Sequence, residues 1–208
     1  MLNNFLGVIM YNHLKFSHKK ATQILNYFAI KEGGKINKMK ALKLIFLADR
    51  YHLRKYGRPI TNDDYFAMQL GPVASGVKDI AENSDFLDEN VKEYSSQFLE
   101  LKNRYDLISK HPLEEDVFSA SDLEVLSFIW DKFGYLAVFE LSHVTHQYPE
   151  WKKHQETLKT TSRVRMSLED FFDDPTSNVE KCYPLSKDEK LDRKNQLKEL
   201  NYLESLWS

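Results

Sequence analysis

Cysteine, glycine and proline are scarce in this 208-residue sequence, which contains one, seven and six of them, respectively. The single cysteine, Cys182, cannot form an internal disulfide or a cysteine-based zinc site, and such usage is typical of a reducing cytoplasm. The low glycine and proline content excludes collagen-like and linker-like chains and argues against a turn-rich all-β fold.

Long hydrophobic runs are missing as well. Runs such as Leu44–Ala48 are far shorter than the roughly 20 residues that a membrane-spanning helix needs, so no membrane partner is expected. The stretch Met1–Met10 has no Lys or Arg before its apolar residues and does not resemble a secretory signal peptide. We therefore expect a cytoplasmic protein.

The residues that are present favour a folded domain. Hydrophobic residues make up 42% of the chain and charged residues 29%, which is enough for a core and excludes general disorder. At about 150 residues per domain, the length predicts one domain, with or without an appendage.

The formal net charge of −2 conceals a strong asymmetry along the chain. Residues 1–60 contain twelve Lys and Arg residues against two acidic residues, whereas residues 61–131 contain five basic and sixteen acidic residues. Two interpretations are open. Either the two segments pack side by side and neutralise each other, or the basic segment faces an anionic protein or nucleic acid.

Two helices are predicted in the first part of the chain. Ser17 suits the N-cap of the first, which ends before Gly33, and Asn37 suits the N-cap of the second, which ends at Gly57. The second helix is apolar on nearly every side across Ala41–Ala48, which predicts a buried central helix.

Two short β elements are predicted after these helices. Tyr65–Leu70 alternates between polar and apolar positions and favours a short strand, whereas Gly71-Pro72 predicts its end and the first turn of a helix over Val73–Asn83. Gln97–Leu101 and Tyr105–Ser109 flank a polar turn and predict a hairpin.

The rest of the chain shows further helix signals. Ser121–Glu124 has the pattern of a capping box, a helix is predicted over Ala137–His146, and Pro149 opens a short one. Ser167–Phe172 predicts a capped helical turn, and Ser186–Glu189 a second capping box. The predicted fold is α+β and predominantly α, with about seven helices around one core and a small antiparallel hairpin.

Asp49 is the most informative carboxylate, because its spacing places it on the apolar stripe of the predicted central helix. A buried carboxylate needs partners. It forms an ion pair, caps a nearby loop, or anchors a recognition surface. An acid–base role is the least supported, since the sequence places no second residue beside it.

Other chemical signatures are weak or missing. His143 and His146 lie three residues apart and share a helix face, but no cysteine pair or further ligand of fixed spacing accompanies them, so a metal site is not expected. No glycine-rich phosphate loop is present, and no Gly-x-Ser-x-Gly elbow. The residues support neither an enzyme nor a cofactor.

The alternative function is that of a DNA-binding transcriptional regulator that uses the basic N-terminal helical segment. Helices followed by a small hairpin are compatible with a winged-helix arrangement, in which one helix enters the major groove. Against this, the basic helix Lys38–Tyr56 is apolar through its middle, and an acidic stretch follows it. Nucleic acid is therefore the less favoured partner.

Two blocks resemble the Panacea domain of the SocA-like, phage-associated family. The first block has a Leu-x-x-Ala-Asp helix, a Gly-Arg-Pro-Ile turn, an Asp-x-Tyr-x-Ala segment and Gly-Pro-Val, and the second is Leu-Ser-x-x-Thr-His with a later Trp. The matching residues are Leu44, Leu47, Ala48, Asp49, Gly57, Arg58, Pro59, Ile60, Asp63, Tyr65, Ala67, Gly71, Pro72 and Val73 in the first block, and Leu141, Ser142, Thr145, His146 and Trp151 in the second.

The resemblance implies an antitoxin that binds and neutralises a co-encoded protein toxin, and for some members delivery of the toxin to a cellular protease. It implies no catalytic role. We expect a Panacea domain over residues 1–160 and a C-terminal helical extension over residues 161–208.

The motif residues are the candidates for partner binding, although the glycines, prolines and Trp151 also suit purely structural roles. Asp49, Asp63, Tyr65 and His146 are further predicted to form one polar network that ties the Asp-x-Tyr segment to the central helix. The segment Asp63–Pro72, with its flanking helices, is the expected contact surface. The candidate residues are Asp49, Asp63, Tyr65, Gly71, Pro72, His146 and Trp151.

Overall fold

A computed structural model describes residues 15–207 of the chain, and the Met1–Met10 stretch therefore lies outside the described residues. Within this range the fold contains eight α-helices, three short 3₁₀ segments and six strands. The helices are α1 (His18–Lys31), α2 (Lys38–Tyr56), α3 (Ser75–Glu82), α4 (Glu89–Phe98), α5 (Ala120–Phe133), α6 (Val138–Thr145), α7 (Pro149–Lys152) and α8 (Lys187–Trp207).

The strands form two antiparallel sheets of three strands each. Sheet A has the order β1-β5-β4 and sheet B the order β3-β2-β6. The strands are β1 (Lys35–Asn37), β2 (Tyr65–Met68), β3 (Gly71–Ala74), β4 (Leu99–Leu101), β5 (Asp106–Ser109) and β6 (Arg163–Arg165). The predicted α+β class, predominantly α, is confirmed, with more β structure than one hairpin.

Helix α2 is the buried centre of the molecule, as its apolar sequence predicts. The side chain of Asn37 accepts hydrogen bonds from the backbone N–H groups of Met39 and Lys40, and Gly57 ends the helix with a φ of 79°. No residue from Ala41 to Ala48 is more than 7% exposed. Because all faces are covered, the helix can hold groups from several other elements in fixed positions.

The β2–β3 hairpin corrects the prediction that Pro72 opens a helix. Pro72 lies in β3, opposite Ala67, and α3 begins only at Ser75. Strand β3 is at the edge of sheet B, where a residue without an N–H group is tolerated. The start of α3 is instead fixed by Asp63, which accepts hydrogen bonds from the N–H groups of Gly76 at 2.9 Å and Val77 at 2.8 Å.

The predicted hairpin after residue 97 is confirmed with shifted bounds. Residues up to Phe98 belong to α4, so β4 begins at Leu99, and β5 also pairs with β1. Helix α4 was missed because it buries only Val91 and Ser95, which leaves almost no periodic apolar pattern.

The start of α5 also differs from its prediction. The capping box is formed by Ser119 and Asp122, not by Ser121 and Glu124. Asp122 accepts a hydrogen bond from the Ser119 N–H at 3.0 Å and also pairs with Lys20 at 2.6 Å. This ion pair joins distant parts of the chain and favours the capping box of Ser119 and Asp122 over that of Ser121 and Glu124.

The basic and acidic segments pack together, which confirms the interpretation that they neutralise each other. Ion pairs join the basic segment, including helices α1 and α2, to the acidic segment. The ion pair of Arg58 links the turn after α2 to helix α5. They are Lys20–Asp122, Lys35–Asp106, Lys38–Glu82, Lys55–Glu124 and Arg58–Asp122.

Two buried arginines of α2 hold the chain that follows residue 160. Arg50 pairs with Glu150 at 2.6 Å and donates a hydrogen bond to the Lys181 carbonyl at 2.7 Å. Arg54 donates a hydrogen bond to the Tyr183 carbonyl at 2.7 Å. The C-terminal segment therefore packs on the same core as the helices before it.

No helix within the described range is both long and apolar enough to cross a bilayer.

Candidate functional site

Asp49 caps the loop that follows α2, which was one of the interpretations of its sequence position. Its Oδ1 atom accepts hydrogen bonds from the N–H groups of Ile60 at 2.6 Å and Thr61 at 3.0 Å. Its Oδ2 atom accepts hydrogen bonds from the hydroxyl groups of Thr61 at 2.6 Å and Tyr65 at 2.5 Å. Burial raises the pKa of Asp49, and these four donors oppose the increase. The carboxylate fixes where β2 begins.

The turn of the β2–β3 hairpin is held by three side chains from the helices below it. The Nε1 atom of Trp151 donates a hydrogen bond to the Met68 carbonyl at 2.9 Å, and the Ser142 hydroxyl donates one to the Leu70 carbonyl at 2.9 Å. The third donor is the Lys43 amine, 2.7 Å from the Pro72 carbonyl. Every second carbonyl from residue 68 to residue 72 is thus fixed by α2, α6 or α7.

Gly71 is required at this turn for two reasons. Its φ of 103° lies in a region that residues with a Cβ atom rarely adopt. A Cβ atom would also lie 3.0 Å from both Lys43 Nζ and Thr145 Oγ1, and 3.1 Å from a carbon of His146. Lys43 of α2 and two side chains of the second block therefore close around a glycine of the first block.

Lys43 is buried without a counter-ion. It is 1% exposed, and no carboxylate forms an ion pair with it among residues 15–207. Burial lowers the pKa of Lys43 to about 7. A buried amine of this kind opposes folding when it is charged, so its position under the turn is an unfavourable feature of the fold.

His146 packs beside the same turn. Its ring stacks on Trp151 with centroids 3.9 Å apart and an angle of 18° between the planes. Burial, together with Lys43 and His143, lowers the pKa of His146 to about 4, so the ring is neutral at pH 7. Its Nε2 atom is buried and has no hydrogen-bond partner within the described chain.

The predicted single polar network is confirmed for Asp49 and Tyr65, which bond directly to each other. It is wrong for His146, which lies at the turn of the hairpin, next to Gly71 and Trp151. The carboxylate of Asp63 is directed at the start of α3, and burial raises its pKa to about 6.

Most of the predicted site residues are buried, so a partner would meet their neighbours. Asp49, Tyr65, Gly71, Pro72 and Trp151 are all buried. Their assignment to partner binding stays a prediction, and in this fold they position the hairpin. Exposed apolar side chains nearby include Leu70, which is 59% exposed, and Phe86, which is 96% exposed.

Sequence reasoning missed Lys43 and Phe86 as parts of this region. Lys43 is a single polar residue in the apolar middle of α2, and that exception was the available signal. Phe86 lies in an acidic loop, and its position beside sheet B depends on the tertiary fold.

The two histidines considered for metal binding are separated by their environments. His143 is exposed, whereas His146 is stacked on Trp151. The described residues contain no group of three or more His, Cys, Asp or Glu side chains that could hold a metal ion.

Comparison with known proteins supports the resemblance of the two blocks. No curated protein matches the chain, and no solved structure does. The family model described as "Antitoxin SocA-like, Panacea domain" matches residues 42–152, which is more than half of the chain and includes both blocks that meet at Gly71. The chain therefore belongs to the SocA-like antitoxin family and carries its Panacea domain.

Proposed function

We propose that this protein is the antitoxin of a toxin–antitoxin pair and neutralises a co-encoded protein toxin in the cytoplasm by direct contact. The observation that carries the proposal is the meeting of both family blocks beneath one hairpin turn. The first block supplies the turn and the second supplies Ser142 and Trp151, which hold it. The side chain of Leu70 remains exposed at its tip.

The unfavourable features beneath this turn support a functional role for it. A buried amine without a counter-ion and a buried ring nitrogen without a hydrogen-bond partner in the described chain both oppose folding, and both side chains lie beside Gly71. Such features concentrate at functional sites, where they are kept for reasons other than stability. A turn fixed before binding also loses less conformational entropy when a partner docks.

The proposal includes no catalytic step and no cofactor. The oxygens of Asp49 accept four hydrogen bonds within the fold, so the proposal gives this carboxylate a structural role and no acid–base role. Burial raises the pKa of the Cys182 thiol to about 11, so at neutral pH this side chain is not the thiolate that a nucleophile requires.

A protein partner is favoured over nucleic acid because most basic residues of the segment 15–60 are buried or form ion pairs. Five cations of the segment 15–60 form ion pairs with the acidic segment, and Lys43, Arg50 and Arg54 are buried in α2. Few cations in this segment therefore remain for phosphate groups. DNA binding through many phosphate contacts would show affinity that falls steeply with salt concentration.

Co-expression with the product of the adjacent gene tests the proposal. We expect that product to arrest growth alone and this protein to restore growth. A harmless neighbour, or growth arrest that persists with both proteins present, would contradict the proposal. The half-life of the toxin separates the two modes of action, since blocking leaves it unchanged and delivery to a protease shortens it.

A further inference from the structure

The outer face of sheet B carries an apolar surface beside the hairpin turn. Side chains alternate between the two faces of a strand, and Tyr65 and Ala67 of β2 are buried whereas Phe66 and Met68 are half-buried. Phe66 lies opposite Val73 of β3, and Met68 lies opposite Arg163 of β6. These four side chains therefore share the outer face.

Phe86 extends this surface and encloses a recess. Together with the four side chains, and with Ser75, Lys78 and Asp79 of α3, it lines a recess of about 380 Å³ beside the sheet. The ring of Phe86 is 96% exposed. We call Phe66, Met68, Val73, Phe86 and Arg163 the hairpin face.

Arg163 brings a positive charge to the hairpin face, and Asp79 brings a negative charge to the same recess. Its guanidinium lies 5.1 Å from the centre of the Phe66 ring, and the described part of the chain provides no ion pair for it. The cations around it differ in this respect, because Arg165 pairs with Asp64 and Lys78 pairs with Glu82. An exposed arginine held over an aromatic ring is positioned to bind a carboxylate.

The combination of an exposed aromatic ring, a recess and an arginine is typical of the residues that dominate protein–protein binding. The recess is large enough for an apolar side chain, which can pack on Phe66, Met68 and Phe86, and the arginine beside it suits an acidic side chain. Because both lie on the same small sheet, one short segment of a partner can reach them together.

We infer that the hairpin face binds a segment of the toxin, which places an aromatic or branched apolar side chain in the recess and a carboxylate on Arg163. The inference rests on the proposed function and names the chemistry of its partner. An arginine can bind both oxygens of a carboxylate through two parallel hydrogen bonds, and this contact is the charged part of the pairing.

The test compares variants of the hairpin face with matched variants on sheet A. Phe86→Asp and Arg163→Glu change exposed side chains, so the fold is expected to persist, which thermal unfolding checks. The turn between β4 and β5 offers controls of the same chemistry, because exposed Arg104 lies 5.9 Å from the ring of exposed Tyr105. Tyr105→Asp and Arg104→Glu are therefore the control variants.

Affinity for the purified product of the adjacent gene is measured by isothermal titration calorimetry. Phe86→Asp and Arg163→Glu are each expected to weaken binding by about tenfold or more, and the two controls to change it by less than about twofold. Arg163→Lys keeps the charge but loses the planar guanidinium, so an intermediate loss is expected.

The outcomes separate this inference from the proposed function. If the wild-type protein binds and neutralises the toxin but the hairpin-face variants bind equally well, the inference is wrong and the proposed function stands. If the wild-type protein neither binds nor neutralises the neighbour, the proposed function is contradicted first. A loss of affinity in the controls equal to that in the hairpin-face variants would also overturn the inference.

Discussion

The Nζ atom of Lys43 lies 2.7 Å from the carbonyl oxygen of Pro72 and joins the buried central helix to the hairpin above it. This contact is one of three that fix the turn, and it is the one whose donor carries an ionisable group without a counter-ion. The stability of the protein therefore depends on pH through this side chain.

Because burial lowers the pKa of Lys43 to about 7, the unfolded chain binds more protons than the folded chain between pH 7 and the ordinary lysine range. Its contribution to the free energy of unfolding rises with pH in that window, by roughly 1 kcal/mol per pH unit. Lys43→Met removes this contribution. Chemical denaturation at pH 7, 8 and 9 should show the free energy of unfolding of the wild type rising relative to that of the variant as the pH increases. A difference that stays constant over this range would contradict the assignment.

Gly71→Ala is expected to destabilise the protein through both its positive φ and its close neighbours. Gly34 is a matched control, because its φ is 95° and an added Cβ would meet nothing within 4 Å. Gly34→Ala should cost about 1–2 kcal/mol from backbone strain. Gly71→Ala should cost about 1–3 kcal/mol more because of overpacking.

Urea denaturation of the two glycine variants measures this difference. Equal losses would mean that the contacts around Gly71 relax freely. The turn would then be less constrained than the distances to Lys43 and Thr145 indicate.

Trp151→Phe removes the hydrogen bond to the Met68 carbonyl while keeping an aromatic ring beside His146. Loss of a buried donor costs about 1–3 kcal/mol, and the effect should concentrate in the hairpin. Hydrogen exchange should accelerate in residues 65–74 and remain unchanged in residues 99–109, which form the other hairpin. Uniform acceleration in both hairpins would show a global effect instead.

Arg50→Met is expected to be severe, because it leaves Glu150 buried without its partner 2.6 Å away. Breaking a buried ion pair from one side costs about 3–5 kcal/mol. The double variant Arg50→Met with Glu150→Leu should recover part of that loss, which the unfolding midpoint measures. The recovery would be incomplete, because Arg50 also bonds to the Lys181 carbonyl. A double variant no more stable than Arg50→Met would contradict this account.

Local signals predicted the parts of the fold that depend on neighbouring residues. Ser17, Asn37 and Gly57 cap their helices as predicted, because a cap needs only a side chain or backbone conformation at one position. Pro72 was assigned to the wrong element because proline suits both the first turn of a helix and an edge strand. Pairing with Ala67 decides between them.

The candidate site could be predicted only in part, because its contacts join residues that are far apart in the sequence. The spacing of Asp49 on α2 indicated burial and a capping role, but its donors lie 11 to 16 residues away and depend on how the chain folds back. Phe86 and Arg163 carry no local signal of proximity. They line the same recess because β6 joins sheet B beside the hairpin.

The most direct test of the central claim is a calorimetric titration of this protein with the purified product of the adjacent gene. Neutralisation by direct contact predicts saturable binding with a dissociation constant in the nanomolar range, as is usual for stable complexes of standard interface size. Raising the salt concentration should weaken this binding far less than it would weaken binding through many phosphate contacts. If the protein restores growth yet shows no binding to the toxin, direct contact is contradicted.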